Sequence, residues 1–132
     1  MYDSGGISRD GVDRETRPEI TWRLATADDV RDYYGKIPNT LRAYAVFMDG
    51  KVEGLVGVSR ERDYGIYFSD HSEKLRPYLN SITVMRAIRA SLDLVDQYRG
   101  PVMSIATDAE ACRLLHRLGF THLHGAWYGW LN

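Results

Sequence analysis

Residues 107–120, TDAEACRLLHRLGF, decide the fold prediction for this chain. Thr107 followed by Glu110 forms a T-x-x-E capping box, which predicts the start of a helix. Gly119 tolerates the left-handed conformation that ends a helix, so a strand is predicted from Phe120. Between these signals the apolar residues recur at helical spacing and form one face: Ala111, Leu114, Leu115 and Leu118. The stretch therefore predicts a capped amphipathic helix that runs directly into a strand.

Length and composition predict a single globular domain. The chain has 132 residues, 44% of them hydrophobic, which is enough for one core. A net charge of −1 gives no overall field that would favour nucleic acid. No apolar run is long enough to span a membrane, and no signal segment follows Met1. The single cysteine, Cys112, excludes an internal disulfide and fits a reducing compartment, so we expect a cytoplasmic protein.

The first 19 residues differ from the rest of the chain. Residues 1–19 are mostly charged or small and show no periodicity. Such a segment offers little apolar area to offset the entropy of ordering, so we predict a flexible N-terminal arm followed by a domain over residues 20–132. The alternative is an arm that becomes ordered on a partner.

The remaining residues predict an α/β fold with a mixed sheet. The periodicities give, in order, a strand, a helix, a three-strand meander, a long helix, a strand, a helix and two strands. Helices flanking a mixed, mostly antiparallel sheet follow from that order. The predicted strands are residues 20–24, 44–48, 52–59, 64–69, 102–106, 120–124 and 126–131.

Local signals fix some boundaries and leave one open. Asp49-Gly50 predicts a two-residue hairpin turn. Gly54 and Gly57 are predicted bulge points on the returning strand. The long helix begins near Ser72 or near Asn80, because Pro77 is compatible with either start.

The element order, together with three motifs, resembles the GCN5-related N-acetyltransferases (GNAT). The 107–120 stretch contains A-x-x-L-x-x-x-L-G-F, similar to the coenzyme A-side motif of that family. Residues 23–29 resemble its R-x-A-x-x-x-D opening, and the Asp-Gly hairpin with Gly54-Leu55-Val56-Gly57 resembles its second and third strands. The resemblance implies transfer of an acetyl group from acetyl-CoA to a small-molecule or protein amine.

The resemblance also implies where an acyl carrier would lie. It would occupy a gap between the fourth and fifth strands, where backbone N–H groups of the fourth strand would polarise the thioester carbonyl. The residues implied on the fourth strand are Ile66, Tyr67, Phe68 and Ser69. Those on the fifth are Ser104 and Ile105.

The phosphate site departs from the family pattern. The family has a glycine-rich loop before the long helix, but residues 69–81 contain no glycine and include Pro77. Lys74 and Arg76 could neutralise phosphate instead, and Asn80 or Ser81 could cap the helix. The alternative is that these residues are simply solvated. The cofactor site is therefore predicted to be atypical.

The 107–120 motif departs from the family at two positions. Asp108 stands where many members have an asparagine that contacts coenzyme A, although an acid in the first turn is also what a plain helix favours. Leu115 stands where many members have a tyrosine that protonates the departing thiolate. Leucine cannot donate a proton, so that role is vacant.

Candidate bases for the acceptor amine are Glu53, Asp70 and His71. Asp70 and His71 end the fourth strand, and we assign the catalytic role to them because a neutral histidine beside a carboxylate can accept a proton near pH 7. A polar loop without catalytic function is the alternative.

The C-terminal strands carry histidines and aromatic residues. His122 and His124 alternate and are predicted to share a face, but no third ligand is tied to them by spacing, so we assign no metal. The last strand is rich in aromatic residues, which predicts core filling or a partner surface: Trp127, Tyr128 and Trp130.

Two functions from different classes stay open. The first is a GNAT-like acyltransferase with an atypical cofactor site. The second is a catalytically inactive GNAT-fold binding or assembly protein, whose partner would contact residues 1–19 or the aromatic C-terminal strand. Short acetyltransferase-like proteins of tailed bacteriophages look similar, so a phage-infected cell or a virion is an expected location for the second. Neither nucleic acid nor membrane is an expected partner.

Overall fold

A computed structural model describes residues 17–37 and 40–131 of the chain. Most of the predicted N-terminal arm lies outside these ranges. Within them, the Glu19 N–H donates to the Asp49 carboxylate at 2.9 Å. The strands are β1 (Ile20–Leu24), β2 (Leu41–Met48), β3 (Lys51–Arg60), β4 (Gly65–His71), β5 (Val102–Ile105), β6 (Thr121–His124) and β7 (Trp127–Trp130). The helices are α1 (Ala27–Tyr34), α2 (Ile82–Gln97) and α3 (Ala109–Leu118), with a 3-10 helix at Arg76–Tyr78.

The strands form one sheet in the order β1-β2-β3-β4-β5-β7-β6. Every pairing is antiparallel except that of β4 with β5, which is parallel. The predicted mixed sheet with flanking helices is confirmed. The long helix begins at the later of its two predicted starts, because Ser81 is the cap residue and its hydroxyl accepts from the Val84 N–H.

Helices cover the two faces of the sheet unequally. The larger core lies on the α2 and α3 side and includes Tyr67, Val95 and Phe120. The smaller core lies under α1 and includes Val30 and Leu55. No helix among the described residues is long and apolar enough to cross a membrane.

The hairpin formed by β2 and β3 requires glycine at its turn and at one position of β3. Asp49 and Gly50 have φ of 51° and 83°, as a type I′ turn requires. Val46 lies opposite Gly54, whereas the next residue, Phe47, lies opposite Val52. Glu53 is therefore the extra residue of a β-bulge. Gly57 keeps regular register, so its assignment as a bulge point is wrong. It is required because a Cβ there would lie 2.0 Å from the Arg42 carbonyl oxygen.

The opening R-x-A-x-x-x-D motif has a structural role. The Arg23 guanidinium donates to both oxygens of the Asp29 carboxylate, at 2.5 and 3.1 Å, and Asp29 forms a reciprocal capping box with Thr26. Burial opposes ionisation of Asp29, but the hydrogen bonds from Arg23 and Thr26 outweigh it and lower its pKa. The motif therefore fastens the first strand to α1.

The α3 helix ends as predicted but starts one residue later. Gly119 is the left-handed cap with φ of 106°. The N-cap is Asp108, whose Oδ1 accepts from the Ala111 N–H at 2.7 Å, so the predicted Thr107 capping box is wrong. Asp and Thr are both good cap residues, and the sequence offers them side by side.

Burial of Tyr67 makes the stability of the fold depend on pH in the alkaline range. Burial raises its pKa to about 12 although the hydroxyl bonds to Ser91 Oγ at 2.7 Å. Because the unfolded phenol ionises near pH 10, the stability from burying it neutral is present below that pH and is lost as pH rises from 10 toward 12. We expect urea unfolding of the wild type to lose about 1 to 2 kcal/mol more between pH 9 and 11 than that of Tyr67→Phe. Equal losses would contradict this assignment.

Candidate functional site

The fourth and fifth strands separate soon after they begin. Their parallel pairing consists of two residue pairs, Gly65 with Val102 and Ile66 with Met103. β4 continues to His71, paired with β3 along its whole length but no longer with β5. A wedge therefore opens in the sheet beyond Ile66. One side-chain hydrogen bond crosses it near its closed end, from Ser104 Oγ to the Tyr67 carbonyl oxygen at 2.8 Å.

Backbone amides of β4 are directed into this wedge. The Gly65 N–H donates to the Pro101 carbonyl oxygen across the β5 edge, and the Tyr67 carbonyl accepts from Ser104 on the same side. Backbone groups alternate in direction along a strand, so the N–H groups of Ser69 and His71 also face β5. The pairing with β5 has ended at that level. These two amides form a short open edge to which an extended ligand can bind.

The predicted wedge residues lie on different sides of the sheet. Tyr67 is buried on the α2 side, and Ser69 is exposed on the same side of the strand. Ile66 and Phe68 alternate with them, and Phe68 packs against the smaller core under α1. On β5, Ser104 is buried and Ile105 is exposed.

A cluster of acids and phenols lies on the α1 face of β3 and β4. The Tyr34 hydroxyl donates to the Asp70 carboxylate. The rings of Tyr33 and Tyr34 meet edge to face at 5.0 Å between centroids. Glu53, at the β3 bulge, is buried, and its carboxylate has no hydrogen-bond or ion-pair partner among residues 17–37 and 40–131. We call Tyr33, Tyr34, Glu53 and Asp70 the acid–phenol cluster.

The phenols of this cluster resist ionisation. Burial raises the pKa of Tyr33, and the negative charges of Asp70 and Glu53 raise it further. Burial also raises the pKa of Tyr34, with its hydrogen bond to Asp70 and the nearby Asp70 charge as further causes. Both tyrosines therefore remain hydrogen-bond donors at neutral pH.

Asp70 and His71 are not brought together. They are consecutive residues of a strand, so their side chains lie on opposite faces of the sheet. Asp70 belongs to the acid–phenol cluster, whereas half-buried His71 lies on the face where Leu75 packs. The sequence joined them because they are adjacent in the chain.

The loop before α2 uses many of its amides internally. The Leu75, Tyr78 and Ser81 N–H groups donate to carbonyls within the loop. Leu75 is only 1% exposed and anchors the loop in the larger core. An anion cradle needs several amides converging on one point, so the loop does not fit the diphosphate of coenzyme A. The open amides of β4, by contrast, fit the extended arm that carries a thioester.

The polar residues predicted to contact phosphate are dispersed. Lys74 and Arg76 are exposed, and Arg76 pairs with Glu73 at 3.1 Å. Asn80 lines a shallow depression of about 430 Å³ that also contains Trp22 of β1, away from β5. Ser81 caps α2 and Asp108 caps α3, as described above.

The remaining features of α3 are structural. Leu115 is buried and supplies no proton donor. Cys112 is half-buried beside the larger core, with Sγ 3.9 Å from the Ala106 carbonyl oxygen.

His122 and His124 do not share a face. Their strand shifts register between them, so His122 lies opposite Tyr128 and His124 opposite Trp127. Cross-strand partners share a face, and Tyr128 and Trp127 are on opposite faces. The prediction of a common face is wrong because the bulge at Leu123 was not foreseen. No group of three metal-binding side chains occurs in the described ranges.

Comparison with known proteins gives a likeness to solved structures. No family model and no curated protein matches the chain. Ard1 from Thermoplasma volcanium is 15% identical with a TM-score of 0.52, over 83% of this chain and 94% of that one. An acetyltransferase of the GNAT family from Streptococcus pneumoniae is 12% identical with a TM-score of 0.52, over 84% and 96%.

A third solved structure holds ligands. It is a point mutant of the AtaT toxin bound to the C-terminus of the antitoxin AtaR and acetyl-CoA, 15% identical with a TM-score of 0.53 over 84% of this chain and 92% of that one. At these identities the likeness concerns the fold. The chain has the GNAT fold, as its sequence motifs predicted.

Sequence reasoning missed Tyr33 and Tyr34. They occupy the last turn of α1, and Tyr34 reaches Asp70, which lies 36 residues further along the chain. Two consecutive tyrosines at the end of a short polar helix were a usable signal for a packed or binding position. Glu53 was considered as a base, but its burial depends on a bulge that the sequence placed only at the neighbouring glycine.

Proposed function

We propose that this chain is a GNAT-type acyltransferase that moves an acetyl group from acetyl-CoA to an amine. The observation that carries the proposal is the wedge between β4 and β5 with the N–H groups of Ser69 and His71 directed into it. The complex of AtaT with acetyl-CoA supports the choice of donor. A cytoplasmic location is part of the proposal, since such donors are made and used there.

The β4 amides position the donor. When bound, acetyl-CoA supplies an activated acyl thioester. The Ser69 and His71 N–H groups would hold its extended arm as an added strand and place a donor near the carbonyl oxygen, where negative charge develops during transfer. Tyr67 and Phe68 would support this role by fixing the strand from the two cores, and Ile66 by pairing with Met103 at the closed end of the wedge.

Asp70 is the proposed proton acceptor. One of its carboxylate oxygens would take a proton from the attacking amine as the new C–N bond forms and the C–S bond breaks. Tyr34 would position the carboxylate through its hydrogen bond. A thiolate is a good leaving group, so the thiol can depart in that form and take a proton from water, without the acid that Leu115 cannot provide. His71 would serve through its backbone amide.

The loop before α2 would contribute little to donor affinity. Lys74 and Arg76 are exposed, so the ion pairs that they would form with the phosphates would add little affinity. Ser81 and Asp108 would act as helix caps, and Asn80 lies away from β5, so these three residues would not supply a cradle.

This view makes a measurable prediction about donor fragments. We expect S-acetylpantetheine, which lacks the nucleotide and its diphosphate, to bind within about tenfold of acetyl-CoA, because the thioester arm makes the main contacts. Isothermal titration calorimetry with each donor measures the two dissociation constants. Adenosine 3′,5′-bisphosphate is the matched control and should not bind measurably.

Two outcomes would count against different parts of the proposal. Strong binding of acetyl-CoA with no binding of S-acetylpantetheine would show that phosphate contacts dominate. No heat and no thermal shift with either donor at millimolar concentration would remove the acyltransferase function, because a ligand of the folded state must raise its stability.

A second function is favoured by an uncovered apolar face of the sheet. Ile105 and Trp127 are cross-strand partners and are 51% and 37% exposed, and Leu123 is 44% exposed. We infer that a non-catalytic role would use this surface, or residues 1–19, to bind a protein partner. The AtaT structure with an antitoxin segment supports a protein partner in this fold. A tailed-phage assembly protein, in an infected cell or a virion, belongs to this alternative.

A further inference from the structure

A cavity of about 270 Å³ lies at the end of the sheet where β4 and β5 are still paired. Its apolar floor is formed by Val58 of β3, Leu94 of α2 and the ring of Tyr98. Ser69 and His71, at the open end of the wedge, are not among its lining residues, so the cavity is separate from the proposed donor site. Ligand pockets in proteins usually measure about 300 Å³ or more, so this cavity suits a compact small molecule.

Three arginines from three different segments line this cavity. Arg42 of β2 is the cross-strand partner of Val58, so the two side chains share the face of the sheet that α2 covers. Arg60 lies two residues beyond Val58 on β3 and shares that face. Arg99 reaches the cavity from the end of α2. We call Arg42, Arg60 and Arg99 the arginine rim.

The position of the Tyr98 ring depends on a glycine. A Cβ at Gly65 would lie 3.0 Å from Tyr98 Cζ and 2.8 Å from Val58 Cγ1, so the ring packs onto the strand where a side chain is missing. Gly65 is the cross-strand partner of Arg60, which brings the flat ring beside this arginine. The cavity therefore combines an apolar floor that includes one aromatic ring with positive charges at its rim.

Acidic side chains do not neutralise the arginine rim within the described part of the chain. None of them lines the cavity, and none forms an ion pair with the three guanidinium groups. Asp96, three residues before Arg99, accepts from the Trp130 indole N–H at 3.1 Å. The carbonyl groups at the end of α2 carry about half a negative charge, which three full positive charges outweigh. A chain with a net charge of −1 thus concentrates positive charge at one cavity.

This combination favours an anion with several carboxylates around an apolar centre. Guanidinium groups bind carboxylates through paired N–H donors. Arg42 and Arg60 occupy diagonal positions of neighbouring strands, which are about 7 to 8 Å apart, and Arg99 comes from a third segment. Such a rim suits charges spread along the edge of a ligand better than one concentrated charge. The apolar centre of the ligand would pack on the floor and on the Tyr98 ring.

We propose that the arginine rim binds a compact polycarboxylate, with its carboxylates paired to the three arginines and its apolar centre on the floor of the cavity. The arginines are exposed to solvent, so each ion pair contributes modestly and the affinity depends on the number of pairs. Binding at this site does not depend on acetyl transfer, because none of its residues has a part in that reaction.

The test compares benzene-1,3,5-tricarboxylate with benzoate, which have the same ring and differ by two carboxylates. In calorimetry with the full chain at low ionic strength and without an acyl donor, we expect the tricarboxylate to bind at least about tenfold more tightly, because two further ion pairs form. Equal affinities, or no binding of the tricarboxylate at millimolar concentration, would overturn the proposal. Tighter binding of phenyl phosphate than of the tricarboxylate would overturn the assigned class of ligand.

Variants assign the preference for the tricarboxylate to the arginine rim. Arg60→Gln and Arg99→Gln should each reduce it by about threefold or more, because each removes one ion pair. Arg113→Gln, which makes the same charge change at an exposed position of α3, should retain it. Circular dichroism checks that each variant is folded. A full preference in either folded rim variant, or its loss in Arg113→Gln, would contradict the proposal.

Nuclear magnetic resonance of ¹⁵N-labelled protein separates this site from the donor site. We expect the tricarboxylate to shift the amide signals of Arg60 and Tyr98 and to leave those of Ser69 and His71 unchanged, whether or not the chain transfers acetyl groups. Shifts centred on Ser69 and His71 instead would place the anion in the wedge and would overturn the inference.

Discussion

Replacing Gly57 with alanine is expected to destabilise the domain by about 4 kcal/mol or more, which is exceptional for one added methyl group. A Cβ at this position would lie 2.0 Å from the Arg42 carbonyl oxygen and 2.5 Å from the Ala43 Cα. Both are backbone atoms of β2, which pairs with β1 on one side and β3 on the other, so neither can move without breaking the sheet. Urea denaturation followed by circular dichroism measures the effect.

Gly54→Ala on the same strand is the matched control. The nearest atom to its added Cβ would be Leu75 Cδ2 at 2.8 Å, the end of a side chain. That side chain is buried, so repacking costs about 1 to 3 kcal/mol, clearly less than at Gly57. Similar stabilities for Gly57→Ala and the wild type would contradict the described packing of β2 against β3.

Replacing Asp70 with asparagine is expected to lower the rate of acetyl transfer by about 100-fold or more. Asparagine has the same shape but cannot accept the proton released by the amine, and a positioned base contributes about 10² to 10⁴ to the rate. Release of free thiol from acetyl-CoA in the presence of a simple primary amine, 1-butylamine, measures the rate. The dissociation constant of acetyl-CoA should change little, because the donor lies against the β4 amides.

Tyr34→Phe separates positioning from proton transfer. It removes the hydrogen bond to Asp70 but keeps the ring, so we expect a smaller fall in kcat, about tenfold, with the donor affinity unchanged. An Asp70→Asn variant that retains full activity would exclude Asp70 as the base. A larger loss in Tyr34→Phe than in Asp70→Asn would assign the proton transfer to the tyrosine instead.

Local signals in the sequence predicted most of the fold. The Asp49-Gly50 turn, the Gly119 helix end and the Ser81 cap each depend on the conformational preference of one or two residues. The element order then followed from periodicity, and the GNAT resemblance added the separated strands. One error arose where two adjacent residues could serve the same role, as at Thr107 and Asp108, and another where close packing rather than a bulge requires the glycine, as at Gly57.

The candidate site was less predictable because it depends on register and tertiary contact. A bulge at Leu123 separates His122 from His124, and a bulge at Glu53 buries a carboxyl group, although neither is marked by a glycine at that residue. Tyr34 meets Asp70 only after α1 has packed on the sheet. Which β4 amides face the wedge follows from strand pairing, which no short motif encodes.

The central claim is that the Ser69 and His71 amides hold a thioester in the wedge between β4 and β5. Titration of ¹⁵N-labelled protein with acetyl-CoA tests it directly by nuclear magnetic resonance. We predict saturable shifts of the Ser69 and His71 amide signals, with smaller changes at Ile66 and Phe68, whose amides face β3. Saturable binding that leaves Ser69 and His71 unchanged, or no change anywhere at millimolar ligand, would contradict the account.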